Sequence, residues 1–296
     1  MDSALEEWYR PRRGAYPWRR PRPDPYHVLV SEIMLQQTQA SRVTPAFVSF
    51  IRRFPTVADL ATAPRADVLR AWGTLGYNRR AIALAEAART LLHDHGGQVP
   101  SDPPTLRTLP GVGPYTAAAV AALAFGLSLP AVDTNVARVV ARSRLGTEAF
   151  DVPSLAVEKA AASWLAHSGR PAGEWNQAVM DLGREVCRSR PRCGICPLRR
   201  RCAFRRSGEP WVGRDRSAGR PRPQSPFEGS FRQVRGAVLR TLRETSPLSL
   251  GAVARRCGHP PERVAAAVTA LAADGVVVAG PAALDGRPGG RVRLAD

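Results

Sequence analysis

The 296-residue chain carries 43 basic against 25 acidic residues, a net charge of +18, with a hydrophobic content of 44% that suits a folded globular protein. No apolar run approaches the roughly 20 residues that span a bilayer, and the opening MDSALEEWYRPRRG lacks the charged-then-apolar layout of a secretory signal. These features speak against a membrane or secreted protein and for an intracellular one whose charge attracts a polyanion, nucleic acid ahead of an acidic membrane surface.

Residues 26–204 predict a succession of helices, because apolar residues recur three and four apart and the breaks carry Pro, Gly, Asp or Ser. The first stretch holds Ser31-Glu32-Ile33-Met34-Leu35-Gln36-Gln37-Thr38-Gln39. Glu32 and Gln36 lie one turn apart, which an exposed helical face would also explain. Glu32, however, stands between two apolar triplets, Val28-Leu29-Val30 and Ile33-Met34-Leu35. A carboxyl drawn into apolar surroundings keeps its proton towards neutral pH, as a general acid must.

Helical periodicity continues through 47–54, 66–75 and 81–95. Next comes Leu109-Pro110-Gly111-Val112-Gly113-Pro114-Tyr115-Thr116, directly before the apolar run 116–127. Two glycines around one apolar residue allow a tight turn whose amides can approach a phosphate at a helix N-terminus. A lone Gly-x-Gly is as often structural, but with a helix on each side the full motif signals a helix-hairpin-helix. Pro130-Ala131-Val132-Asp133-Thr134-Asn135-Val136 follows. Taken alone, Asp133 reads as the N-cap of the helix predicted over 135–145. Its place just downstream of the hairpin turns the balance towards chemistry.

Helices are predicted over 155–167 and 175–187, after which Cys187, Cys193, Cys196 and Cys202 fall within 16 residues. Clustered cysteines in an intracellular chain indicate metal binding rather than disulfides. Zinc and a [4Fe–4S] cluster both accept four thiolates, and the spacing alone does not separate them. From Arg184 to Arg222 there are 13 arginines and 3 acidic residues, a net +10, as a phosphate-contacting track or a solvated charge run would have. The expected organisation is a helical domain over 1–204, an Arg/Pro/Gly-rich linker over 205–229, and a small domain over 230–296. In the last, three helical patterns precede two short strands around a Gly/Pro-rich turn, which is the order of a winged helix. Cys257, in its middle helix, reads as a small buried residue.

SEIMLQQTQ, WGTLGY, LPGVGPYTA, VDTNVARV, NQAVMDLG and the four cysteines, in that order, resemble the adenine DNA glycosylases (the MutY family) over roughly residues 6–205. The resemblance implies an all-α helix-hairpin-helix glycosylase fold with a four-cysteine [4Fe–4S] domain. It implies a monomeric, nucleoid-associated cytoplasmic enzyme of base excision repair, acting on duplex DNA in which adenine is mispaired with 8-oxoguanine or guanine. By the same resemblance Glu32 would protonate the flipped base and Asp133 would stabilise the cationic sugar, with Tyr115 and Asn135 orienting them. Trp18, Arg19 and Gln177 would line the base pocket. Gln37, Thr38, Leu75 and Tyr77 would probe the opposite strand, Tyr77 as a wedge, and Gly111 and Gly113 would hold the DNA backbone.

The related endonuclease III has a catalytic lysine where this chain has Tyr115, and Lys159 is the sole lysine here. A monofunctional glycosylase is therefore expected. Two alternatives remain: a mismatch thymine glycosylase of the same superfamily, against which Leu-Gln-Gln-Thr argues, and a non-catalytic DNA-binding regulator, against which Glu32 and Asp133 argue. The chain departs from the family in three places. Its first cysteine gap is one residue shorter, Thr134 replaces a common glycine, and the winged-helix-like segment stands where a nucleotide-hydrolase-like domain is usual.

Overall fold

A computed structural model describes residues 3–208 and 226–296. The linker read over 205–229 lies outside the described residues from 209 to 225. In chain order the helices are α1 (Ser3–Tyr9), α2 (Pro25–Leu35), α3 (Ala40–Arg53), α4 (Val57–Thr62), α5 (Arg65–Trp72), α6 (Arg79–Asp94), α7 (Pro103–Leu106), α8 (Pro114–Phe125), α9 (Thr134–Val140), α10 (Ser154–Ala166), α11 (Ala172–Glu185) and α12 (Ala203–Arg206). Then follow α13 (Phe231–Glu244), β1 (Leu248–Ser249), α14 (Leu250–Cys257), α15 (Pro261–Ala273), β2 (Val277–Ala279), α16 (Pro281–Leu284) and β3 (Arg291–Leu294). They form two compact units that alternate along the sequence: Met1–Ile33 with Val99–Arg216, and Met34–Gln98 with Ser217–Asp296. No helix of the described residues is long and apolar enough to cross a membrane.

The first unit is helical. Its core joins Leu5 and Tyr9 of α1 to Val136, Val139 and Val140 of α9, Trp164 of α10, and Trp175, Val179 and Leu182 of α11. Trp164 and Trp175 meet edge to face, with centroids 5.4 Å apart, a favoured aromatic geometry. α9 and α11 approach so closely at Gly183 that a Cβ there would stand 2.7 Å from the Asn135 Cβ. The period-3.6 pattern over 135–145 is realised as α9 and a π-helical turn, Ala141–Leu145, that ends at the left-handed Gly146.

The second unit combines α3–α6 with the C-terminal segment. Phe50 of α3 packs edge-on against Phe54 and Trp72. α5 ends where Gly73 turns to φ 59°, so residues 73–75, which continue its apolar pattern, form a 3-10 turn instead. α3 starts at Ala40, seven residues before the apolar pattern recognised in the sequence. In the C-terminal segment, α13, α14 and α15 bury Val234, Val238, Leu242, Val253, Val264, Val268 and Leu271. The sheet is antiparallel in the order β1-β3-β2, with Val292 of β3 opposite both Leu248 and Ala279. β2 and β3 lie within the two stretches read as strands. β1 and α16 are too short, at two and four residues, to show a period. α13 and β3 both pack against α5.

Candidate active site

Glu32 lies on α2 with only 4% of its surface exposed. The Tyr115 hydroxyl, near the start of α8, donates to Glu32 Oε2 at 3.0 Å. Burial pushes the Glu32 carboxyl up to about 7; the Tyr115 hydrogen bond and the Arg19 charge oppose the rise, and the Asp133 charge adds to it. Burial and the two carboxylates likewise push the Tyr115 phenol well above its usual value, so it remains a donor at any physiological pH. Tyr115, 83 positions from Glu32, thus touches it, and Asp133, 101 positions away, acts on it through its charge.

Asp133 is the N-cap of α9, as the plainer reading of its sequence requires. Its Oδ1 accepts from the Asn135 and Val136 amides at 2.9 and 2.7 Å, and its Oδ2 from Asn135 Nδ2 at 2.8 Å. Capping fixes the carboxylate, and its charge is felt at both Glu32 and Tyr115. Among the described residues the non-glycine positions with positive φ are Gln37 and Tyr77. Thr134 therefore sits after Asp133 without needing the freedom of a glycine.

Several supporting residues were not singled out from the sequence. Arg138 donates to Asn135 Oδ1 at 2.7 Å, to the Gly183 carbonyl at 2.8 Å and to the Cys187 carbonyl at 2.6 Å. Asn176, fully buried, accepts from the Ala131 amide at 2.7 Å and donates to the Leu129 and Ala172 carbonyls. It thereby holds the segment leading into Asp133. Asp181, 2% exposed, receives both terminal nitrogens of Arg19, at 2.6 and 2.9 Å. The one available signal was polarity: each lies inside an apolar helix pattern where a solvent-facing residue was not required.

The three residues expected around the base pocket all lie in the first unit. Arg19 influences Glu32 electrostatically while paired with Asp181. Its guanidinium lies 5.0 Å from the Tyr16 ring, which stacks on buried Trp18 at 5.0 Å and 3°. Gln177 accepts from the buried Tyr9 hydroxyl at 2.6 Å. A bidentate carboxylate clamp of this kind fixes a guanidinium geometrically, leaving Arg19 little freedom to reorient.

The residues expected to probe the opposite strand lie in the second unit. Gln37 has φ 53° and Tyr77 φ 46°, conformations that cost a non-glycine residue about 1–2 kcal/mol. Tyr77 is half-exposed, whereas Leu75 is buried. Arg80, unremarked in the sequence, ties the two turns together. It donates to the Met34, Gln36 and Gly76 carbonyls and to Thr38 Oγ1, and its guanidinium lies 5.2 Å from the Tyr77 ring.

The hairpin motif joins α7 to α8. Gly111 is exposed with φ 81°, where a side chain would be strained. Gly113, the N-cap of α8, has φ −91°, and a Cβ there would meet nothing within 4 Å. The surface over Gly113 is open. Cys187, Cys193, Cys196 and Cys202 line one cavity with Arg142, Val186 and Phe204 among its other walls. Arg142 is 2% exposed, paired with Glu148 at 2.8 Å, and within 3.7 Å of Cys187 Sγ. It also donates to the Arg188 and Ser189 carbonyls, pinning the start of the cysteine loop. Among the described residues no three His, Cys, Asp or Glu side chains gather as they would around one metal ion. Cys257 is half-buried, its Sγ 3.4 Å from Thr241 Oγ1.

A helical unit that sets a Gly-x-Gly hairpin beside two carboxylates defines a class, and residues 30–166 match the family model of the HhH-GPD superfamily base excision DNA repair proteins. The adenine DNA glycosylase of Mycobacterium tuberculosis is 47% identical over 82% of this chain and 78% of its own length. That of Mycolicibacterium smegmatis is 44% identical over 83% and 81%. A solved thermostable thymine-DNA glycosylase superposes with a TM-score of 0.63 at 32% identity, over 69% of this chain and 94% of its own. The chain belongs to the adenine DNA glycosylase family and is a glycosylase of base excision repair.

Proposed function

We propose that this enzyme hydrolyses the N-glycosidic bond of adenine mispaired with 8-oxoguanine or guanine in duplex DNA, without cutting the strand. The observation that carries the reading is Glu32: a buried carboxyl held by Tyr115, pushed up to about 7, within reach of the charge of a capped Asp133. A carboxylic acid that keeps its proton near neutral pH can give it to a ring nitrogen of the flipped base. The C1′–N9 bond then breaks with its electron pair on the base. The Asp133 carboxylate faces the positive sugar until water adds to C1′ and its proton is taken up by a carboxylate. Lys159, the sole lysine, is exposed on α10, so no lysine amine is available to attack the sugar and promote strand cleavage.

In this reading Asn135 orients Asp133, and Trp18, Arg19 and Gln177, with Asp181, shape the base pocket. Tyr77 enters the stack vacated by the base, Gln37, Thr38 and Leu75 complete the surface facing the opposite strand, and Gly111 and Gly113 admit a phosphate. Cys187, Cys193, Cys196 and Cys202 fit a [4Fe–4S] cluster, since all four border one cavity walled by Val186, Phe204 and a buried arginine. When bound, the cluster would cross-link the cysteine loop. Residues 230–296, where α13, α14 and α15 precede the strand pair β2 and β3 and the short β1 adds a third strand, support the reading of a winged-helix-like domain after a 205–229 linker and a 1–204 glycosylase region. We infer a cytoplasmic, nucleoid-associated monomer.

Single-turnover reactions on duplexes containing A opposite 8-oxoguanine, A opposite G, and T opposite G test the assignment. Adenine release from the first two is expected. Release from the T-containing duplex alone would replace adenine by thymine, and release from none would leave a DNA-binding regulator. An absorbance band near ~400 nm in the purified protein is expected for the cluster; a colourless zinc protein would refute it.

A further inference from the structure

We propose that Arg243, in the C-terminal segment, is a positioning residue for Tyr77: by holding the Asn78 side chain it helps set the turn that enters the DNA stack. The proposal rests on the wedge role given to Tyr77 above. Arg243 lies at the end of α13, and both its acceptors belong to the region of α5 and the turn after it. Its Nε donates to the Leu69 carbonyl at 3.0 Å and its Nη2 to Asn78 Oδ1 at 2.6 Å. At the end of α5 the Gly73 amide turns to the Arg70 carbonyl, which leaves the Leu69 carbonyl facing the guanidinium.

Asn78 carries the sharper observation. It is the residue immediately before α6, and its backbone, φ −60° and ψ −20°, is already helical, not the extended form from which an N-cap side chain reaches the helix amides. Here it makes no capping hydrogen bond. Its side chain is given to Arg243 instead. The guanidinium, for its part, is half-buried on two neutral oxygens, and that burial pulls it down to about 10. The contact falls next to Tyr77, which has φ 46° and is half-exposed. Arg80 fixes the same turn through the Gly76 carbonyl and its contact with the Tyr77 ring. The turn is therefore held on both sides of Tyr77, by an arginine from its own helix and by one from a segment 165 residues away.

The test compares Arg243→Met, Asn78→Ala and Tyr77→Ala in the full-length protein. Binding to an A:8-oxoguanine duplex and to its matched counterpart gives the discrimination ratio. Fluorescence of 2-aminopurine placed beside the target base reports unstacking. Asn78→Ala removes no helix cap and leaves the Leu69 contact, so it separates turn positioning from attachment of the C-terminal segment. Arg243→Met and Asn78→Ala should each lower discrimination and unstacking by about tenfold, and neither should lower them further in a Tyr77→Ala background. Wild-type behaviour of Asn78→Ala while Tyr77→Ala loses discrimination would overturn this proposal and leave the wedge intact. So would a full Arg243→Met effect in the Tyr77→Ala background. An inert Tyr77→Ala would instead remove the wedge reading, and this proposal with it.

Discussion

Glu32 and Asp133 are held in a different way from Gln37 and Tyr77, and the contrast separates two kinds of functional construction. The carboxylates are positioned by regular helices. Glu32 is buried in α2, Asp133 caps α9, and their hydrogen bonds come from Tyr115, Asn135 and two backbone amides. Chemistry at a fixed atom needs that kind of preorganisation, with each group positioned by packing and further hydrogen bonds. Gln37 and Tyr77 lie on turns whose backbone is strained and which are tied to each other by Arg80, crossing between them. A residue that must enter a base stack has to project from the surface, and strain there is tolerated when the surroundings over-determine it.

The largest effect should come from the carboxylate region. Asp133→Asn keeps an N-cap and most of the helix geometry, since asparagine also caps, yet removes the charge opposite the developing cation. Base release should fall by about a thousandfold or more while duplex binding persists. Single-turnover release and gel-shift binding on one preparation measure both. Activity within tenfold of wild type would remove Asp133 from the chemistry and leave it the cap it also is.

Glu32→Gln should lower release by about 10²–10⁴-fold, the range of general acid catalysis, and it carries a signature in pH. The folded carboxyl is raised from 4.5 to about 7, so the folded state binds a proton more tightly than the unfolded chain. The resulting destabilisation is absent below about pH 4.5, grows as pH rises to about 7, and levels off at about 3 kcal/mol. Glu32→Gln should therefore be more stable than wild type at pH 8 and much less so at pH 4.5. Wild-type release should decline above about pH 7 as the acid loses its proton. Denaturant melts at the two pH values and a pH–rate profile check these; an unchanged stability difference would mean that Glu32 titrates normally.

Gly183→Ala reaches the same region without touching a reacting group. The new Cβ would stand 2.7 Å from the Asn135 Cβ and 2.8 Å from its carbonyl oxygen, so α9 or α11 must shift. Overpacking of this kind costs about 1–3 kcal/mol. A displacement of Asp133 approaching roughly 1 Å would slow release by about a hundredfold. Loss of rate well beyond what thermal melts explain would confirm that the helix contact aligns the acid. A rate loss that vanishes when the assay is cooled well below the melting transition would reduce Gly183 to a stability position.

The same contrast explains what was legible in the sequence. Glu32, Tyr115, Asp133 and Asn135 stand in compact local motifs, where a polar residue breaks an apolar pattern or follows a glycine turn, and the structure gathers them. Asn176, Asp181, Gly183 and Arg138 are not legible in the sequence because their roles arise only when α11 meets α9, the segment leading into it, and Arg19, and no period in one segment records those meetings. Arg80 and Arg243 were hidden for another reason. In a chain with this excess of arginine, a half-buried guanidinium that binds carbonyls looks like one more surface charge. The C-terminal helices were read from their period, whereas β1 and α16 occupy too few residues to have one.

The smallest effect isolates the strain itself. At φ 46° a glycine would escape the steric penalty of about 1–2 kcal/mol that tyrosine bears, partly offset by the greater freedom of glycine in the unfolded chain, about 0.5–1 kcal/mol. Alanine bears the strain without the ring. Tyr77→Gly should therefore be more stable than Tyr77→Ala by a few tenths of a kcal/mol to about 1 kcal/mol, and the two should lose mispair discrimination equally. Paired denaturant melts and duplex-binding ratios measure both. Equal stability would mean that Arg80 and Arg243 do not hold a strained turn, and a difference in discrimination would mean that the backbone at position 77, and not the ring alone, reads the DNA.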